Sequence, residues 1–197
     1  AAESFRSLLT GYGCATTLLE LGEVATAALD SCDIIIAGND TGSISRWGDA
    51  ESVAAIEGSG QPVVGLGEGG YALFGQLGLS IGWPNGGHGS RDSISVIDPS
   101  SSLFSVPYPI DVPEDGALQL YTATLHVGLY LWPMPETVTA LGGEVGNPGY
   151  YPLALEHDRY LFWGFVESVE NMTEAGKHLF VNAVIRTANA AWMSEGN

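Results

Sequence analysis

Hydrophobic and polar positions divide this chain into two textures. In the first half, short apolar runs alternate with amphipathic stretches. Residues 3–12 place Phe5, Leu8 and Leu9 at helical spacing and stop at Gly11 and Gly13, which predicts a helix. Residues 14–21 (CATTLLEL) read as a strand, and 24–29 as a short helix. Residues 33–37 (DIIIA) are a continuous apolar run bounded by Gly38-Asn39-Asp40, the pattern of a strand covered on both faces. A helix is predicted over 49–57, capped by Asp49, with Gly58 and Gly60 beyond its end. Residues 62–66 (PVVGL) form another buried strand, followed by Gly67-Glu68-Gly69-Gly70 and a helix over 71–77. Strand and helix alternate, so the class is α/β.

From about residue 91 to 157 a β-rich insertion or extension is expected. Ser93 to Ile97 alternates, as do Leu125, Val127, Leu129 and Leu131. Between Leu120 and Leu125 the apolar parity flips, which predicts a bulge or a bend near Thr122–Thr124. Val106 to Gly116 holds three prolines and reads as a connector. Residues 160–165 (YLFWGF) are one more apolar strand. In the last helix Asn171 reads as the cap and Glu174 as the third position, with Ala175, Leu179, Phe180, Ala183 and Val184 on one face.

Composition narrows the function classes. A length of 197 residues fits one domain, and 45% apolar content is ample for a core. No apolar stretch approaches ~18 residues, so no membrane insertion is expected. The net charge of −17, with Lys177 the lone lysine, opposes phosphate backbones and argues against nucleic acid. Acidic content is ordinary; the charge comes from missing lysine, as suits an exported or cell-surface domain. Cys14 and Cys32 are too few for a disulfide framework and lack zinc spacing, so both are expected as small buried residues. No metal or cofactor is expected.

The most informative segment runs from Pro62 to Tyr71. A buried strand, a G-x-X-x-G turn and an immediate helix match a nucleophile elbow, in which the central residue takes strained backbone angles. Together with the DIIIAGND strand, the LFWGF strand and the NMTEAGKHLFVNAV ending, it resembles the class I glutamine amidotransferase-like superfamily, closest to the ThuA-like branch. The resemblance spans roughly residues 1–82 and 158–197. It implies a flavodoxin-like three-layer domain with a mostly parallel central sheet. It also implies a cysteine at the elbow, where this chain has Gly67. Cys14 and Cys32 each precede an early strand at the opposite edge of the sheet and are no substitute. A register shifted by one would place Glu68 there, but Gly65 and Gly69 favour the first. The same glycines also fit a plain strand-to-helix crossing, which glycine allows without strain.

A flavodoxin-like unit opens with a strand, whereas here a helix comes first. The chain is therefore expected to be cut from a longer polypeptide, or its sheet to be one strand short. That strand would separate those following Cys14 and Cys32, holding the cysteines ~10 Å apart, beyond disulfide reach.

In open α/β sheets, sites gather outside the carboxyl ends of the strands. The loops 39–42, 67–69 and 83–89 are expected to meet there, making Asp40, Glu68 and His88 candidates for acid–base work. The resemblance supports His88, since ThuA-like proteins tend to carry a histidine after the elbow helix. Asn39, Thr41, Gly67, Tyr71, Trp83 and Asn85 are the candidate ligand contacts. His126, His157 and His178 read as structural or solvated. Two functions are expected. One is a non-catalytic module that binds or assembles with other domains of a longer parent chain. The other is a hydrolase of carbohydrate or another small polar substrate through Asp40, Glu68 and His88.

Overall fold

The computed structural model describes residues 2–194. It has a three-layer α/β architecture. The strands of the main sheet are β1 (Ile35–Ala37), β4 (Val63–Leu66), β6 (Ser93–Val96), β7 (Ala117–Gln119), β9 (Val138–Glu144), β11 (Leu153–Glu156) and β12 (Tyr160–Trp163). Their order is β1-β4-β12-β11-β9-β6-β7. The first three are mutually parallel, with Ile36 opposite Val64 and Val64 opposite Leu161. The remaining neighbours are antiparallel, so five of the seven strands point one way and β11 and β6 the other. That antiparallel wing is the predicted β-rich segment.

Strand alternation builds two cores. Val64, Leu66, Leu161 and Trp163 face helices α1 (Ala2–Gly11) and α4 (Glu174–Ser194), meeting Phe5, Leu9, Leu179 and Phe180. Val63, Tyr160 and Phe162 face the opposite layer, with Ile56 of α2 (Ala50–Ser59) and Phe74 of α3 (Gly67–Gln76). That layer also contains a small sheet of β5 (Gly86–Gly89), β8 (His126–Tyr130) and β10 (Tyr150–Tyr151), and the hairpin of β2 (Gly42–Ser43) and β3 (Arg46–Trp47).

Several local expectations change. Residues 14–20 are not a strand: Leu18 and Leu19 are each 46% exposed and have no strand partner. The segment stops at a 3-10 turn over Leu21–Thr26, closed by reciprocal contacts of Glu20 and Glu23. Residues 24–29 form no α-helix; that turn and a second one at Leu29–Ser31 span them. With no strand after Cys14, the proposed separation of the cysteines by strands does not apply, and both are half-buried and unpaired. Gly58 lies inside α2, and Gly60 ends it at φ +72. The cap of α4 is Thr173, whose Oγ1 accepts from Gly176 N, whereas Asn171 donates to Glu167. The elbow helix starts at Gly67 itself, four residues earlier than the pattern suggests.

The parity flip has a simple cause. Leu118, Leu120 and Tyr121 belong to the core under α4, while Val127, Leu129 and Leu131 belong to the core on the other side of the sheet. Between them the chain crosses from the main sheet to the small one, so the bend is a change of layer.

Candidate functional site

The carboxyl ends of the three parallel strands meet at Asn39, Gly67 and Val166. Gly67 has φ +47, in the left-handed region that glycine enters without strain. Close approach explains the glycines around it. A Cβ at Gly65 would lie 2.7 Å from Gly70 Cα and 2.8 Å from the Phe74 ring, so α3 sits directly on β4. Above the turn, Asn39 Oδ1 accepts from Glu68 N at 2.9 Å, while its Nδ2 reaches Val166 O at 3.4 Å. A Cβ at position 67 would run into Asn39 Oδ1 and lie 2.7 Å from Val166 Cγ1. The space where an elbow side chain would project is filled.

The three loops expected at this edge converge, but their side chains divide between two depressions. Glu68 and His88 are in direct contact through Oε1 and Nε2. They line a groove of about 170 Å³ with Ile44, Tyr71, Trp83 and Val127. Burial pushes the Tyr71 phenol up, and the neighbouring Glu68 charge adds to that. Glu68 also ties down the β2–β3 hairpin: its Oε2 accepts from Ile44 N at 3.5 Å, while Gln76 of α3 donates to Ser45 O.

Asp40 lies elsewhere. It lines a wider depression of about 660 Å³ with Thr41, Arg46, Trp47 and Asp49. Thr41 is occupied within the protein, donating to Gly38 O and accepting from Trp47 Nε1 at 2.7 Å. Asn85 donates to Ser80 O and sits outside the lining of the groove.

A second polar cluster escaped the sequence reading. His126 is fully buried, on the face of β8 opposite the groove residue Val127. Its Nδ1 accepts from Arg91 N at 3.2 Å, which puts the proton of the neutral ring on Nε2. Nε2 approaches Glu144 Oε2 at 3.3 Å without hydrogen-bond geometry, and Arg91 Nε lies 3.8 Å from the other oxygen. Burial pushes the His126 imidazole down, against the pull of Glu144. The only sequence signal for this group was a histidine in an otherwise apolar strand; its partners lie 35 and 18 residues away. His157 is exposed beside Glu156, and His178 stacks on Tyr108.

No family model and no curated protein matches the sequence. Solved structures do match. A GMP synthase-like protein of Thermoplasma acidophilum superposes with TM-score 0.61 at 12% identity, over 98% of this chain and 92% of that one. A ThuA-like protein of Bacteroides uniformis ATCC 8492 superposes with TM-score 0.62 at 14% identity, over 95% and 82%. At these identities the likeness carries the fold. The chain therefore has the flavodoxin-like three-layer fold found in glutamine amidotransferase-like and ThuA-like proteins.

Proposed function

We propose that this chain is a non-catalytic α/β module, acting in binding or assembly within a larger exported or surface protein. In this reading its elbow keeps the amidotransferase-like shape and lacks the attacking group. The observation that supports it is the filled space over Gly67, taken by Asn39 and Val166. Covalent acyl transfer needs a side chain that attacks and later leaves, and glycine offers none. The groove beside the elbow, with Glu68, His88, Tyr71 and Trp83, is the binding surface for a small polar ligand or a carbohydrate. Incubating the protein with an electrophilic glutamine analogue and measuring its intact mass tests the claim. No adduct is expected; stoichiometric labelling at any residue from 65 to 70 would overturn it.

A second reading, hydrolysis of a carbohydrate or another small polar substrate by an activated water, draws support from the Glu68–His88 contact. It needs a carboxylate and an imidazole within reach of one water. Asp40, in the other depression, takes no part. Turnover of nitrophenyl glycosides or esters that is lost in Glu68→Gln would favour this reading over the first.

A further inference from the structure

The groove beside α3 carries no lysine or arginine in its lining. Its one formal charge besides the titratable His88 is Glu68, and that carboxylate is poorly satisfied. Oε1 is closed off from solvent and meets His88 Nε2 outside hydrogen-bond geometry. Oε2 has Ile44 N at 3.5 Å, the outer limit of a hydrogen bond. A carboxylate in this state gains from a cationic donor, because burying charge is unfavourable unless it is paired. The whole chain, at −17, draws cations to its surface and repels anions.

The walls are apolar. Trp83 is 42% exposed and Ile44 58% exposed, both lining the groove. Ile44 occupies the hairpin tip at φ +53. A β-branched residue in the left-handed region is an outlier that costs on the order of 1–3 kcal/mol. Glycine would turn the hairpin without that strain, so an apolar side chain is held at the groove's lip against the backbone's preference. The volume of about 170 Å³ equals roughly five or six liquid waters at ~30 Å³ each, which sets the ligand's size.

We propose that this groove binds a small organic cation, its ammonium held by Glu68 and its short hydrocarbon body lying against Ile44, Trp83 and Val127. The proposal rests on the reading of the chain as a binding module and names the ligand class of that groove. His88, with 66% of its side chain exposed, is the partner the ammonium displaces from Glu68. Aromatic and aliphatic walls around a carboxylate suit alkylammonium ions, whose charge sits at one end of a greasy body.

Isothermal titration of the whole chain with four probes tests this: n-butylammonium, n-butanol as neutral isostere, butyrate as anionic isostere, and glucose. Butylammonium is expected to bind at least about tenfold more tightly than butanol, as a charge-assisted hydrogen bond predicts, and butyrate not at all. Glu68→Gln should weaken butylammonium by a similar factor. Ile44→Gly should weaken it too while raising the melting temperature, a combination that a purely structural role does not produce. Equal affinity for butylammonium and butanol, or unchanged binding in Glu68→Gln, overturns the proposal. Binding of glucose alone overturns it as well, but leaves the module reading standing. Failure of all four probes overturns the cation assignment, and the adduct measurement still decides the elbow separately.

Discussion

Asn39 illustrates how much one side chain settles at this sheet edge. It stands at the end of β1, caps α3 through Glu68 N, and fills the volume over Gly67. His126 is its counterpart in the second cluster, and it makes a pH prediction. Glu144, Arg91 and His88 are the charged or titratable groups that bear on it. Burial lowers its pKa in the folded protein below the unfolded value of about 6.5. Between those two values the unfolded chain binds more protons, so stability must rise with pH there. The full contribution is present above about pH 6.5, shrinks as pH falls through that window, and levels off below the folded pKa. Urea melts of wild type and His126→Gln from pH 8 to 5 should show this slope in the wild type and its loss in the variant. Identical slopes would mean that another group titrates.

At the scale of elements, the connector before β7 has no regular structure of its own and depends on α4. Asn182, fully buried, accepts from Tyr108 N at 3.0 Å and donates to Leu103 O and Tyr108 O. Asn182→Leu removes all three bonds and leaves buried backbone groups without partners. The expected loss is about 1–3 kcal/mol of stability, with faster hydrogen exchange at the Tyr108 amide. Unchanged stability together with unchanged protection would show that water or another group satisfies the connector. Elements also show where periodicity misleads. The alternation in 14–21 is as strand-like as that in 93–97, yet the second found partners on both sides and the first found none.

For the whole molecule, charge is the dominant fact. Six cationic residues face 23 acidic ones. Ion pairs such as Arg6–Glu3 and Lys177–Glu174 are local to one helix turn and worth little. Mutual repulsion among the remaining carboxylates disfavours the compact state when screening is weak. The melting temperature is therefore expected to rise between about 10 mM and about 150 mM sodium chloride, as the Debye length contracts to about 8 Å. A flat or falling melting temperature would mean that specific pairs outweigh the net charge.

The sequence alone determined the α/β class, the buried strands around Ile36 and Val64, the glycine turn after β4 and the layer change after Leu120. Each of these depends on neighbours within a few residues, through pleat alternation, helical spacing or glycine's access to positive φ. Only the tertiary structure decided that Asn39 and Val166 occlude the elbow, since they approach Gly67 from the ends of two other strands. It alone separated Asp40 from Glu68 and His88, and brought Arg91, His126 and Glu144 together. Those outcomes follow from strand order and from the packing of one layer on another, which join residues far apart in the chain and leave no local periodicity to read.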